Sequence, residues 1–194
     1  MKQVQGVIFD LDGTLVSSSL DFKAIKQEID CPPEADVLTF LETLPEHKQL
    51  EAMAIIHRHE VQDAQQCEWL PGAQEFVNTC IKHSIPMAIV TRNSLHSSRV
   101  KIKRNAIPIE RVITRENSKP KPDPTALLQI ADDFALPAHS ILMVGDYRYD
   151  LEAGRNANMK SCLINYTTLP DYSHLADYTF EHFGLLHQAM FDDR

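Results

Sequence analysis

The sequence lacks several features that would place it in specialised classes of protein. It contains no run of about 18 consecutive apolar residues, so it predicts no transmembrane helix. Its four cysteines, Cys31, Cys67, Cys80 and Cys162, form no C-x-x-C pair, which argues against a disulfide framework or a zinc site. A net charge of −8 leaves no basic excess for nucleic acid or an anionic membrane surface. The first apolar run reaches Asp10 too soon for a signal peptide, so we expect a cytoplasmic protein.

The composition is that of an ordinary globular chain. Of the 194 residues, 43% are hydrophobic and 24% are charged. Short apolar runs alternate with segments of helical periodicity, which is typical of an α/β protein with a Rossmann-like parallel sheet and helices on both faces. Strands are predicted at 7–9, 85–90, 112–114, 141–144, 161–164 and 178–180. Between them, helices are predicted at 73–81, at 94–104, at 124–134 with Asp123 as N-cap, and from Asp150 to about Asn158.

One long segment interrupts this alternation. Residues 16–69 contain no convincing strand, and their apolar residues recur with helical spacing at 22–29, 37–44 and 46–65. We interpret residues 16–69 as a small helical cap inserted into a core formed by residues 1–15 and 70–194.

Polar residues follow the predicted strands at the points where these strands end. In an open parallel sheet, ligands bind in the crevice beyond the carboxyl ends of the strands. The sequence therefore predicts that one crevice collects Asp10, Asp12, Thr91, Arg92, Asn93, Lys119, Asp146 and Asp150. Crowded carboxylates repel one another, and a hard divalent cation such as Mg²⁺, which takes carboxylates, water and phosphate oxygens as ligands, would neutralise them.

The segment Asp10-Leu11-Asp12-Gly13-Thr14-Leu15 resembles the first motif of the haloacid dehalogenase superfamily of phosphatases. Segments similar to the other motifs follow in the expected order at 90–93, 119–124 and 145–150, and the resemblance covers residues 4–15 and 70–182. The inserted helices lie where relatives resembling phosphoglycolate phosphatase carry their cap. The chain departs from these relatives after Val16, where Ser17-Ser18-Ser19 stands in place of the usual Asp-Ser pair.

The resemblance implies roles for the acidic residues. Asp10 would be the nucleophile that attacks phosphorus, and Asp12 would be the general acid and then the general base. Gly13 would let the chain turn so that both carboxyl groups face one phosphate, and it is a predicted part of the phosphate site. Asp146 would bind Mg²⁺ together with Asp10 and the backbone carbonyl of Asp12. Asp150 would orient the catalytic lysine or a water molecule on the metal.

The resemblance also implies how the phosphate is held. Thr91 and Asn93 would donate hydrogen bonds to phosphate oxygens, and Thr91 is also a predicted catalytic residue. Arg92 would contribute either its side chain or only its backbone N–H. Lys119 would neutralise the phosphorylated aspartate, because the spacing of the K-P-x-P-D motif favours it over the alternative, Lys121.

These observations predict a Mg²⁺-dependent phosphatase that hydrolyses a small phosphorylated metabolite through an aspartyl-phosphate. The alternatives are a phosphomutase acting on a sugar phosphate and a non-enzymatic, receiver-like domain that senses phosphate. We expect a small phosphate ester as the partner, with no nucleic acid or membrane bound, and a monomer or weak homodimer. Trp69, where the chain returns from the inserted helices, is a further candidate for contact with substrate.

Overall fold

The computed structural model describes residues 1 and 3–192. Its centre is a sheet of six parallel strands, ordered β3-β2-β1-β4-β5-β6. The strands are β1 (Gly6–Phe9), β2 (Met87–Val90), β3 (Arg111–Ile113), β4 (Ile141–Gly145), β5 (Lys160–Ile164) and β6 (Tyr178–Phe180). The predicted α/β class and parallel sheet are therefore confirmed.

Helices surround this sheet. They are α1 (Phe22–Glu28), α2 (Val37–Glu42), α3 (Glu46–Ala64), α4 (Ala73–Lys82), α5 (Leu95–Arg104), α6 (Thr125–Phe134), α7 (Arg148–Asn156) and α8 (Phe183–Phe191). Short 3₁₀ helices at Ala138–Ser140 and Asp171–Leu175 complete the described elements. Among the described residues, no helix combines the length and the apolar character needed to cross a membrane.

Successive residues of each strand point to opposite sides of the sheet, and helices cover both of its faces. On one side, Phe9 of β1 packs against Phe76 of α4 and Phe183 of α8, with the Phe9 and Phe76 rings edge to face at 6.0 Å. On the other side, Ile8 and Met143 pack against the apolar residues of α6 and α7. Burial on both faces explains why β1 and β4 are continuously apolar in sequence.

The helices α1, α2 and α3 form an apolar cluster of their own. Ile25, Val37, Leu41 and Ile56 are buried against one another in this cluster. The segment from 16 to 69 contains no strand beyond an isolated bridge between Val16 and Trp69. The division of the chain into a core and a cap at these boundaries stays a prediction.

The predicted strands all lie within two residues of the observed ones, but three helices differ from prediction. The N-cap of α6 is Pro124 rather than the predicted Asp123, whose side chain accepts a hydrogen bond from the backbone N–H of Thr125 at 2.9 Å. Helix α7 begins at Arg148 rather than after Asp150, because the Asp150 carboxylate accepts a hydrogen bond from the backbone N–H of Tyr147 at 3.0 Å. Asp150 thus caps the helix from within its first turn. Asn158 follows this helix in the left-handed conformation, with φ of 56°, as predicted. Helix α8 was not predicted.

Candidate active site

A crevice of about 450 Å³ lies between the carboxyl ends of the central strands and the inserted helices. Strand β1 pairs with β2 on one side and with β4 on the other. This strand order brings together Asp10 after β1, Thr91 after β2 and Asp146 after β4, and all three line the crevice. The predicted convergence of these strand ends is therefore present in the structure.

Three carboxylates meet at the floor of the crevice. Asp10, Asp146 and Asp150 each offer an oxygen, and these oxygens lie within 4.8 Å of one another. The side chains of Asp10 and Asp150 are almost fully buried. Thr14 supports this group by donating from its hydroxyl to Asp146 Oδ1 at 3.2 Å.

Two glycines allow the carboxylates to approach the backbone. Gly13 has a positive φ of 75°, and a Cβ atom there would lie 2.3 Å from Asp146 Oδ2. At Gly145, a Cβ atom would lie 2.2 Å from the Cβ of Asp150. Gly13 thus has the turn role that the sequence predicts, and its lack of a side chain also makes room for Asp146.

The cation in this cluster is Lys121. Its ammonium lies 2.6 Å from Asp10 Oδ1 and 2.6 Å from Asp150 Oδ1, and it donates to the carbonyl oxygen of Val90 at 2.6 Å. Burial disfavours the charged form of Lys121, but the carboxylates of Asp10 and Asp150 outweigh it and raise the pKa of this lysine. Lys121 therefore stays protonated at neutral pH.

Lys119, the lysine favoured by the motif spacing, is not in the crevice. Its side chain is exposed, whereas that of Lys121 is buried. The two lysines lie two residues apart in an irregular, proline-containing segment before α6. Because such a segment has neither helical nor strand periodicity, no pattern distinguishes the two lysines in sequence. Asp150 accordingly contacts Lys121 rather than Lys119.

Asp12 is held apart from the three clustered carboxylates. Its Oδ2 accepts a hydrogen bond from Asn93 Nδ2 at 2.7 Å, and its Oδ1 forms an ion pair with Lys101 of α5. The same lysine pairs with Asp63 near the end of α3, and its side chain is fully buried. Asp63 also accepts hydrogen bonds from Ser18 and other groups of the segment that enters the inserted helices.

Thr91 and Arg92, which follow β2, differ from each other in their surroundings. Thr91 is buried, and its hydroxyl accepts a hydrogen bond from the backbone N–H of Asn93 at 3.1 Å. The guanidinium of Arg92 donates to both carboxylate oxygens of Asp36 at 2.8 and 2.7 Å and lies 4.1 Å from the ring centroid of Tyr149. The Arg92 side chain therefore joins the core to the inserted helices.

Burial and mutual repulsion perturb the acidic groups. Burial, together with the charges of Asp10 and Asp150, raises the pKa of Asp146 to about 8. Burial likewise raises the pKa of Asp12 to about 6, although Lys101 opposes this shift. For Asp150, burial raises the pKa against the opposing effect of Lys121. Such shifts are typical of functional sites, where acids and bases need pKa values matched to their task.

The carboxylate cluster fits a hard divalent cation. Mg²⁺ prefers oxygen ligands and takes one or two carboxylates together with water and phosphate oxygens. Asp10, Asp146 and Asp150 supply such oxygens within one group. The Asp12 carboxylate is committed to Asn93 and Lys101, so its side chain is not a member of this group.

Sequence reasoning missed two of the buried cations and misplaced one aromatic residue. Lys101 and Arg115 both pair with the inserted helices, Arg115 through Glu60. The one signal for Lys101 is its spacing of four residues from Ser97, which places both on the buried face of α5. Trp69 does not line the crevice, and its indole N–H donates to the carbonyl oxygen of Asn105 at 2.8 Å.

Comparisons with known proteins agree with this fold. Residues 17–164 match the family model described as haloacid dehalogenase-like hydrolase. An uncharacterized hydrolase of Saccharomyces cerevisiae is 31% identical over 93% of this chain and 88% of its own length. A putative pyrophosphatase of Clostridium perfringens is 27% identical over 86% of each chain. The solved structure of a hydrolase from Pseudomonas syringae superposes with a TM-score of 0.81 at 20% identity, covering 95% of this chain and 97% of its own.

The chain therefore belongs to the haloacid dehalogenase-like hydrolase family. The family resemblance seen in the motifs is confirmed. The roles of individual residues follow from the geometry and are proposed below.

The raised pKa of Asp146 predicts how stability depends on pH. The folded protein keeps this proton up to about pH 8, whereas an unfolded chain releases it near pH 4. Without divalent ions, the free energy of unfolding should therefore fall between pH 6 and 8, by up to about 1.4 kcal/mol per pH unit from this group. Urea denaturation across this range measures the slope, and the Asp146→Asn variant should flatten it. An unchanged slope in that variant would contradict the assignment.

Proposed function

We propose that this protein is a Mg²⁺-dependent phosphatase that hydrolyses a small phosphate ester through an aspartyl-phosphate, under a cap formed by residues 16–69. The observation that carries the proposal is the buried group of Asp10, Asp146 and Asp150 with Lys121 in contact. Next to this group lies Asp12, whose carboxyl group also has a raised pKa. Carboxyl groups at one site whose surroundings give them different pKa values are typical of acid and base catalysis.

In the first step, an oxygen of Asp10 attacks phosphorus, and the bond from phosphorus to the ester oxygen breaks. The proton of the Asp12 carboxyl group passes to the leaving oxygen and releases an alcohol. Burial favours the protonated form of Asp12 that this step needs, because it raises the pKa of this group to about 6. Asn93 and Lys101 hold the carboxyl group in position.

In the second step, a water oxygen attacks the phosphorus of the aspartyl-phosphate. The Asp12 carboxylate takes the proton of this water, and the bond between phosphorus and Asp10 breaks. Inorganic phosphate leaves, and both aspartates return to their starting states. The same carboxyl group thus gives a proton in one step and takes one in the next.

Lys121 stabilises the negative charge that develops on the phosphoryl group, and the buried Thr91 provides a hydroxyl at the same edge of the sheet. Asp150 holds Lys121 through its ion pair. Asp10, Asp146 and Asp150 would hold Mg²⁺, which would supply positive charge that stabilises the transferring phosphoryl group.

The Asp10→Asn variant tests the proposed nucleophile. We expect phosphate release from p-nitrophenyl phosphate to fall at least about a thousandfold, because an amide cannot form the covalent intermediate. Asp123→Asn is a matched control, since Asp123 is outside the crevice and only caps Thr125. The wild-type reaction should require Mg²⁺ and stop on chelation. Full activity of Asp10→Asn would refute the mechanism, and phosphoryl return to a sugar without release to water would indicate a phosphomutase.

The two lysines of the third motif form a matched pair of variants. Lys121→Met should lower kcat by about 100- to 1000-fold, because it removes the cation beside Asp10. Lys119→Met should change kcat less than twofold, because this side chain is exposed outside the crevice. Steady-state phosphate release measures both. The reverse order of effects would return the catalytic role to Lys119.

Lys101 is a positioning residue for Asp12, and its variant should depend on the leaving group. Lys101→Met should lower kcat/KM, which reports the first phosphoryl transfer, about tenfold or more with an alkyl phosphate, because this step needs a proton from Asp12. The loss should be smaller with p-nitrophenyl phosphate, because p-nitrophenolate leaves without protonation. Lys103→Met, exposed on the same helix, is the control. Equal losses with both substrates would indicate a purely structural role for Lys101.

A further inference from the structure

Beyond the aspartates, the inserted helices give the crevice an apolar wall. Its side chains come from the entry segment and from α1, α2 and α3: Leu20, Phe22, Ile25, Val37, Leu38 and Ile56. Phe22 is 57% exposed although it is a large apolar residue. An apolar side chain left open beside a catalytic crevice is typical of a surface that a ligand covers.

The opposite wall, on the core side, is aromatic. Tyr147 and Tyr149 line the crevice, with their rings edge to face and their centroids 5.2 Å apart. Tyr147 is 48% exposed and also packs edge to face on Tyr172 at 5.4 Å. The Tyr172 hydroxyl donates to the carbonyl oxygen of Asp146 at 3.1 Å, which ties this aromatic group to the catalytic floor. Such rings present both flat and edge surfaces to an apolar partner.

The two arginines that line this part of the crevice are already paired. Arg92 donates to both carboxylate oxygens of Asp36. Arg115 pairs with Glu60 of α3 through both of its terminal nitrogens, and both side chains are only 6% exposed. The Arg115 pair is bidentate, whereas Arg92 contacts both oxygens of Asp36 through one terminal nitrogen, so each arginine charge already has a carboxylate partner.

Among the described residues, the remaining charged groups around the leaving-group space are one lysine and one glutamate, which are opposite in sign. The lysine there, Lys26, donates to the carbonyl oxygen of Pro33 at 2.5 Å. Glu34 also lines the crevice and adds a negative charge. The space next to the catalytic floor is therefore apolar and aromatic, and the three cations among its described lining residues, Arg92, Arg115 and Lys26, are matched in number by the carboxylates of Asp36, Glu60 and Glu34.

We infer that the substrate is a phosphate monoester whose leaving group is an uncharged, largely apolar alcohol, such as an aryl or arylalkyl group. This inference rests on the proposed phosphatase function and adds the class of leaving group. A leaving group with a second negative charge meets two arginines that are already paired and a Lys26 charge that is offset by Glu34, so the loss of its water shell is poorly compensated. An apolar ring replaces water against the exposed Phe22 and Tyr147 and the partly exposed Leu20, Leu38 and Tyr149.

Matched phosphate esters test this inference on the wild-type protein with Mg²⁺. Benzyl phosphate and 4-carboxybenzyl phosphate differ in one remote carboxylate, which hardly changes the reactivity of the ester. We expect kcat/KM for benzyl phosphate to be at least about tenfold higher. It should also exceed the values for phosphoglycolate and inorganic pyrophosphate, whose leaving groups carry negative charge. Released inorganic phosphate measures all four reactions.

A variant that frees one arginine should reduce this discrimination. Asp36→Asn removes the charge opposite Arg92, while asparagine keeps the N-cap hydrogen bond to the Thr39 N–H of α2. We expect the preference for benzyl over carboxybenzyl phosphate to shrink severalfold. Glu60→Gln, which frees Arg115, is the second variant should Asp36→Asn fold poorly. Asp133→Asn, which breaks the exposed pair with Arg111 outside the crevice, should leave the preference unchanged.

The outcomes separate the inference from the function on which it rests. Hydrolysis of 4-carboxybenzyl phosphate, phosphoglycolate or pyrophosphate as fast as benzyl phosphate would overturn the inference and leave the phosphatase function intact. A preference that neither Asp36→Asn nor Glu60→Gln reduces would overturn the assignment to the paired arginines. No phosphate release from any of the four compounds would overturn the proposed function and the inference together.

Discussion

The buried contact of Lys121 with Asp10 and Asp150 is the interaction on which the crevice depends. Three carboxylates within 4.8 Å of one another repel strongly where water is scarce. One ammonium at 2.6 Å from two of them offsets part of this repulsion. Asp146 has no contact with an ammonium among the described residues, and burial, followed by the charges of Asp10 and Asp150, raises its pKa. A divalent cation would complete the neutralisation.

A second set of ion pairs joins the inserted helices to the core. Arg92, Lys101 and Arg115, all from the core, pair with carboxylates on the segment between β1 and α4. Buried pairs of this kind contribute little net stability, because desolvation costs nearly as much as the attraction returns. Their directional hydrogen bonds set the position of the inserted helices on the core. Because Lys101 also contacts Asp12, the placement of the inserted helices and that of the acid–base residue depend on the same side chain.

Much of the fold and part of the site are predictable because they depend on local patterns. Apolar runs identify the strands, and the placement of Asp10 and Asp146 follows from the rule that ligands bind beyond the carboxyl ends of parallel strands. The choice of Lys121 over Lys119 depends on the path of an irregular segment, which leaves no periodic signal. The burial of Lys101 is not predictable for a related reason. A lysine on a polar helix is expected to be exposed, and the burial of Lys101 depends on partners far away in sequence.

The two ends of the crevice differ in how their charges are balanced. At the floor, negative charge is in excess, and the site gains by binding a metal ion and a phosphoryl group together. Towards the inserted helices, Asp36 and Glu60 pair with Arg92 and Arg115, so the positive charges of these arginines are not available to a ligand. The phosphoryl group of any phosphate ester would bind favourably at the floor. A charged leaving group would bind unfavourably at the wall, whereas an apolar leaving group would bind favourably there. Because the paired carboxylates come from the inserted helices, changes in this segment would alter the choice of substrate under this proposal, while the floor, built on strands of the core, would stay the same.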